Sequence, residues 1–173
     1  HTPTRRQRQM CIRDSRNIIA NIQQNLEWAK EHIKESEETV LCALPLYHIY
    51  ALTVNFLSFL TVGQRMILVP RPVPIEKMMA PMRKYEVTLL TVVNTLLNEL
   101  VSHKDFAQLR LGRLKMALAG GMALQKSVAE AWESKTGIPA VEGYGLTEAS
   151  PVTHCNPLDQ TYRLGSIGLP LPS

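Results

Sequence analysis

The sequence predicts an α/β fold with a largely parallel sheet and alternating helices. Two features of the chain support this fold class. Five short apolar segments of strand character are spread along residues 39–142. Each of the first four is followed by a segment whose apolar residues recur at the period of a helix. Strands that alternate with helices pair in parallel, through right-handed crossovers.

The five predicted strands are rich in branched apolar residues and end at polar or turn-forming residues. They cover residues 39–44, 65–69, 87–93, 114–119 and 140–142. Pro70 follows the second strand directly and stops it, and Gly137 stops the last helix.

A helix is predicted before the first strand, over residues 17–33, and four more follow the first four strands. Their apolar faces or spans are Ile18, Ile22, Leu26, Ala29 and Ile33; residues 47–60; Ile75, Met78, Met79 and Met82; Leu96, Leu97, Leu100 and Val101; and Leu124, Val128, Ala131 and Trp132.

The apolar run over residues 41–62 is nearly long enough to cross a bilayer. Pro45, His48, Asn55 and Ser58 interrupt it, and it begins like a strand. We interpret it as a strand followed by a buried helix, and we expect no transmembrane segment.

Composition and charge indicate one globular domain that does not bind nucleic acid. The chain has 173 residues and a formal net charge of +4. Removing the four arginines and one aspartate of residues 1–15 lowers that charge to about +1. No basic stripe interleaved with aromatic residues remains, so no nucleic-acid surface is predicted.

Residues 1–15 show no apolar periodicity. We interpret them as a non-native or disordered tail; the alternatives are a basic arm for an anionic partner and a presequence. The three cysteines, Cys11, Cys42 and Cys155, have no metal-binding spacing, which favours the cytoplasm.

The segment 142–148, Glu-Gly-Tyr-Gly-Leu-Thr-Glu, carries the most chemistry. Its two glycines allow tight backbone paths close to a ligand. Tyr144 offers a ring for stacking, and Thr147 can donate a hydrogen bond to a phosphate oxygen. Glu148 is a hard oxygen ligand suited to Mg²⁺. Together these groups suit a magnesium nucleotide.

Four predicted strands lead directly into residues of this kind. In open α/β sheets, ligands bind beyond the carboxyl ends of the strands. Distant segments are therefore expected to meet at one edge of the sheet. The segments are Pro45–His48, Asn94–Thr95, Gly120–Gly121 and Tyr144–Glu148.

Segments 44–50, 93–98, 119–124 and 142–148 resemble, in order, the signatures of the adenylate-forming enzymes, and of acyl-CoA synthetases in particular. The resemblance covers residues 16–173 and is nearest to the bacterial long-chain-fatty-acid–CoA ligases. It implies that residues 16–173 are a fragment of the AMP-binding, large N-terminal domain of such an enzyme.

The resemblance also implies site roles. Thr147 would hold the α-phosphate and Glu148 the magnesium ion, as the catalytic pair. The ATP or adenylate would further contact Gly120, Gly121, Glu142, Gly143, Tyr144 and Gly145. The acyl and coenzyme A path would contain His48, Asn94 and Met122.

The reaction implied by the resemblance converts a fatty acid and ATP to an acyl-adenylate, and then forms acyl-CoA. ATP and coenzyme A are co-substrates, and Mg²⁺ is the cofactor. The resemblance allows peripheral association with the inner face of the cytoplasmic membrane. The oligomeric state stays open.

The chain departs from the family pattern in places. Ala123 stands where the glycine loop usually has proline, and Leu52 occupies the place of an aromatic gate. The phosphate-cradling loop, the ribose-binding element and the small C-terminal domain are not found in this sequence. We therefore expect an internal fragment that is inactive alone.

Other interpretations remain. An amino-acid adenylation domain or a luciferase-like enzyme shares the Thr-Glu element, and a noncatalytic nucleotide-binding module shares the fold. Individual residues also have structural alternatives: His48 as a core histidine, and Asn94 as a cap for the helix that follows it.

Overall fold

Seven strands form one sheet at the centre of the fold. The computed structural model describes residues 15–159 and 161–172. The strands are β1 (Thr39–Cys42), β2 (Arg65–Leu68), β3 (Leu89–Val92), β4 (Met116–Ala119), β5 (Ala140–Gly145), β6 (Val152–Cys155) and β7 (Leu169–Pro170). Their order across the sheet is β2-β1-β3-β4-β5-β6-β7.

Helices cover both faces of the sheet. They are α1 (Ser15–Ala29), a π-helical segment (Ala51–Leu57) that continues into α2 (Ser58–Thr61), α3 (Glu76–Lys84), α4 (Asn94–Ser102) and α5 (Lys126–Thr136), with short 3₁₀ turns at Phe106–Gln108 and Thr147–Ala149.

The first five strands run parallel, as predicted, and all five predicted strands are present. Strand β1 lies between β2 and β3, so the chain changes direction across the sheet at this point. Such a switch point opens a crevice beyond the carboxyl ends of the strands, where ligands bind in α/β sheets.

Strands β6 and β7 are antiparallel and were not predicted. The buried side chain of Asn21 supports β6 from helix α1. Its amide donates to the carbonyl of Val152 at 2.7 Å and accepts from the Val152 N–H at 3.1 Å. A single asparagine thus makes the hydrogen bonds that a neighbouring strand would make.

Alternate residues of β1 and β3 point to opposite faces of the sheet and enter two apolar clusters. Leu41 and Leu90 belong to the larger cluster with the methionines of α3. Val40 and Leu89 belong to the smaller cluster with Phe59. Both faces of the sheet are therefore covered by apolar side chains, which is typical of parallel sheets.

The apolar run over residues 41–62 forms a strand and a buried helix, as predicted. Within the described ranges, no helix combines the length and the apolar character needed to cross a bilayer. Part of this helix is π-helical, because Ser58 donates both its N–H and its hydroxyl to the Thr53 carbonyl.

Two predicted boundaries differ. Helix α1 ends at Ala29 instead of residue 33, because the Ala29 carbonyl accepts from His32 and Ile33 in a closing turn. Ser15 was assigned to the tail but starts α1. The rest of the predicted tail, residues 1–14, lies outside the described residues.

Candidate functional site

A cleft of about 620 Å³ opens at the switch point of the sheet. The loops after β1, β2, β3 and β4 all contribute to its walls. The lining is mainly apolar and consists of Ala43, Leu44, Pro45, Tyr47, His48, Tyr50, Ala51, Pro70, Arg71, Pro72, Val73, Val93, Leu96 and Gly121.

A second cleft of about 250 Å³ adjoins the first and lies beyond β5. It shares His48, Tyr50 and Gly121 with the first cleft. Its other walls are Ile49, Gly143, Tyr144, Gly145, Leu146, Thr147, Glu148, Pro151 and Val152. The predicted meeting of distant segments at one sheet edge is therefore observed, with His48 at the junction.

His48 is exposed and lines both clefts, so it is not a core histidine. Its Nδ1 accepts the backbone N–H of Tyr50 at 3.3 Å. An Nδ1 that accepts leaves the proton of a neutral imidazole on Nε2. Nε2 is then the donor atom of the neutral His48 ring.

Thr147 and Glu148 lie on a short 3₁₀ turn directly after β5. Glu148 is exposed, and Thr147 is half-buried. Within the described residues, neither side chain has a hydrogen-bond or ion-pair partner. Both polar groups are thus available to a ligand that enters the second cleft.

Among the described residues, Glu148 is the single carboxylate that lines either cleft. No cluster of three or more His, Cys, Asp or Glu side chains suited to a metal occurs in the described part of the chain. This arrangement fits Mg²⁺, which often binds through one or two carboxylates together with substrate phosphates and water.

The two glycines beside Tyr144 differ in what fixes them. A Cβ on Gly145 would lie 2.1 Å from the Pro151 carbonyl oxygen, so the close approach of β6 requires glycine. A Cβ on Gly143 would meet only Cys155 Sγ, at 4.0 Å. Packing of the fold therefore requires glycine at position 145 but leaves room for a side chain at position 143.

The glycine loop after β4 packs on a buried tyrosine. A Cβ on Gly120 would lie 2.8 Å from Cζ of Tyr50, and Gly121 has a φ of +79°. The Tyr50 hydroxyl donates to the Leu118 carbonyl at 3.3 Å, and burial raises the pKa of this hydroxyl well above its usual range. Sequence reasoning had not singled out Tyr50.

Four predicted site residues do not line these two clefts. Gly120 faces Tyr50, and Met122 is exposed on the loop. The alternative that Asn94 caps the helix after it is wrong, because α4 begins at Asn94 itself. The Asn94 Oδ1 instead accepts the N–H of Gln125 at 2.9 Å. The fourth residue is Glu142, whose carboxylate oxygens accept the backbone N–H groups of Leu124 and Gly165.

A smaller cavity of about 50 Å³ lies between α1, the helix after β1 and the sheet. Its walls are almost entirely apolar and include Leu26, Val54, Phe59, Leu89 and Leu118. Tyr50, which lines both clefts, donates to the backbone carbonyl of Leu118, a residue that lines this cavity.

The sheet order, the glycine loop and the Thr-Glu turn define an open α/β protein whose loops meet beyond the carboxyl ends of its strands. The chain belongs to the AMP-binding enzyme family, whose model matches residues 10–173. Similar solved structures include ATP-bound MatB from Rhodopseudomonas palustris, with 25% identity and a TM-score of 0.75 over 90% of this chain and 30% of that chain. The anthranilate CoA ligase AuaEII with anthranoyl-AMP, at 23% identity, has a TM-score of 0.77 over 90% of this chain and 30% of its own.

Curated relatives carry a more particular name. The long-chain-fatty-acid–CoA ligase of Yersinia pestis is 46% identical over 157 residues, which are 88% of this chain and 28% of the relative. The enzyme of the same name from Bacillus subtilis is 38% identical over 91% of this chain and 28% of its own length. The chain thus spans little more than a quarter of these relatives. The resemblance to adenylate-forming enzymes is confirmed.

Proposed function

We propose that residues 16–173 form part of the AMP-binding domain of an enzyme that activates a long-chain fatty acid with ATP and transfers it to coenzyme A. One observation carries this proposal. The unpartnered Thr147 and Glu148, the histidine donor and an apolar cleft all meet at one sheet edge. Relatives with the corresponding name support it.

In the first step, a carboxylate oxygen of the fatty acid attacks the α-phosphorus of ATP. The bond to the β-phosphate breaks, and pyrophosphate leaves. Thr147 would donate a hydrogen bond to the α-phosphate, whose charge increases in the transition state. Glu148 would hold Mg²⁺, which neutralises phosphate charge when bound. No nucleophilic side chain is needed, so catalysis relies on positioning.

In the second step, the thiol of coenzyme A attacks the acyl carbonyl carbon, and AMP leaves. His48 would border this approach, because it lies at the junction of the clefts. The acyl chain would run along the apolar helix after β1. Each buried methylene contributes about 0.8 kcal/mol, so preference should rise with chain length.

The 173-residue chain alone should be inactive, because it spans only 28% of the relatives that carry the activity in their name. The free cysteines Cys42 and Cys155 suit the proposed cytoplasmic location.

The test is ATP–pyrophosphate exchange by the full-length protein that contains this chain. We expect exchange that depends on palmitate, and acyl-CoA formation once coenzyme A is added. Exchange with acetate equal to that with palmitate would refute the long-chain assignment. Exchange with an amino acid instead would identify an amino-acid adenylation domain, and no exchange with any acid would favour a noncatalytic module.

The second step is tested with His48→Ala. Pyrophosphate exchange should stay within about twofold, whereas thioester formation should slow by roughly tenfold or more, since a positioned contact on the thiol path is lost. His32→Ala, at a half-exposed histidine of the loop after α1, is the matched control. Equal losses in both steps would contradict a role on the thiol path.

A further inference from the structure

Two side chains, Glu142 of β5 and Asn94 at the start of α4, hold adjacent N–H groups of the glycine loop. Glu142 Oε1 accepts the N–H of Leu124 at 2.9 Å. Asn94 Oδ1 accepts the next N–H, that of Gln125, also at 2.9 Å. Asn94 is only 5% exposed, so its bond is shielded from water. The loop that carries Gly121 into both clefts is therefore fixed at its far end.

The second oxygen of Glu142 holds another segment. Its Oε2 accepts the N–H of Gly165 at 2.8 Å. The neighbouring Asn156 is buried and folds the same segment inward. Its Oδ1 accepts from the Arg163 N–H at 3.0 Å, and its Nδ2 donates to the Ser166 carbonyl at 2.7 Å. Segment 163–168 is thus held against the end of β5.

Both oxygens of Glu142 are occupied by backbone donors from two loops that are far apart in sequence. A carboxylate is suited to this, because each of its oxygens is an acceptor. A carboxamide offers only one acceptor, and its NH₂ group would face one of the two N–H groups. The negative charge also strengthens both bonds.

We propose that Glu142 is a positioning residue that couples the glycine loop to segment 163–168, and does not bind the adenine through its carboxylate. Asn94 holds the glycine loop alone. The spacing between segment 163–168 and the glycine loop, which carries Gly121 into the second cleft, depends on one carboxylate. The effect of this coupling on catalysis rests on the proposed function, but the coupling itself does not.

Hydrogen–deuterium exchange of the full-length protein tests the coupling without reference to activity. Glu142→Gln should speed amide exchange by about tenfold or more in residues 121–126 and also in residues 163–168. Asn94→Leu should do so in residues 121–126 only, and Asn94→Asp, which keeps the acceptor, should restore protection. The control is Glu99→Gln, at an exposed carboxylate of α4.

Exchange in strand β3 and the thermal midpoint should change little, by less than about 2 °C for the midpoint, because Glu142 lies outside the core. Faster exchange in only one loop of the Glu142→Gln protein would overturn the coupling. So would a uniform rise throughout the domain, which would indicate a merely structural role.

The catalytic consequence is read from pyrophosphate exchange by the same variants. The rate at saturating substrates should fall about tenfold for Glu142→Gln and should not change for Glu99→Gln. An unchanged rate with both loops loosened would overturn the positioning role. If the wild-type protein shows no exchange activity, the proposed function fails, while the hydrogen-exchange result still decides the coupling.

Discussion

The two edges of the parallel sheet use polar residues in opposite ways. At the amino edge, the residue directly before each of β1, β2, β3 and β4 is polar, and these four join one network. Lys115 pairs with the buried Glu38 at 2.6 Å. Gln64 accepts the Glu38 N–H at 2.7 Å, and Thr88 accepts the Thr39 N–H at 2.9 Å.

At the carboxyl edge, two polar residues that line the second cleft are left without such partners. Thr147 and Glu148 have none among the described residues, and Tyr47 is 90% exposed. The comparison teaches that polar residues paired with one another serve folding, whereas unpaired residues beside a cleft are available for a ligand. Four changes test this contrast, from the largest expected effect to the smallest.

Glu148→Gln in the full-length protein should lower pyrophosphate exchange by about 10²–10³, the usual cost of losing one charge contact in a transition state. The free energy of unfolding should not change, because Glu148 is exposed and has no described partner. Near-normal exchange at saturating Mg²⁺ would refute its metal-binding role. Thr147→Ala should show a smaller loss.

Lys115→Met should lower the stability of the domain and leave its activity unchanged, the opposite of Glu148→Gln. It leaves the Glu38 carboxylate buried without its cation, which should cost about 1–3 kcal/mol because Lys115 is itself 42% exposed. Pulse proteolysis in urea measures this loss, and activity per folded molecule should stay normal. Lys126→Met breaks an exposed pair with Glu130 and should cost less than about 0.5 kcal/mol. Equal losses of stability for Lys115→Met and Lys126→Met would contradict a special role for the buried network at the amino edge.

Gly143 and Gly145 test whether residues at the carboxyl edge serve only ligand binding or also the packing of the fold. Gly145→Ala should destabilise the domain by about 1–3 kcal/mol, because the added Cβ meets the Pro151 carbonyl oxygen at 2.1 Å. Gly143→Ala has room and should change stability by less than about 0.5 kcal/mol. If both variants unfold at the same urea concentration, packing against β6 does not decide which glycine is needed.

The smallest effect is the pH dependence of the amino edge. Burial opposes the ionisation of Glu38, but hydrogen bonds from Lys115 and Thr88 outweigh it and hold the pKa of this carboxyl below its ordinary value of 4.5. The resulting stabilisation is present above pH 4.5 and is lost as the pH falls through the lower pKa of the folded state. Glu38→Gln should remove this part of the acid sensitivity; an unchanged pH profile would contradict it.

Much of the fold was predictable because helix and strand periods are local properties of the sequence. The segments 39–44 and 87–93 were identified from their apolar character, and β1 and β3 lie within them. The edge where the site lies was also predictable, since parallel strands place all their carboxyl ends together. Strand β6 was missed because Val-Thr-His-Cys has little apolar character and depends on pairing with β5 and Asn21.

The sequence by itself determined the alternation of strands and helices, the family, and the identity of the residues at the carboxyl edge. Tertiary structure alone decided which of these residues face a cleft. Glu148 and Glu142 are both carboxylates of one seven-residue segment, yet the first is exposed and the second binds two loops. The reason is physical: a side chain's character is local, but its partners come from segments that only folding brings together.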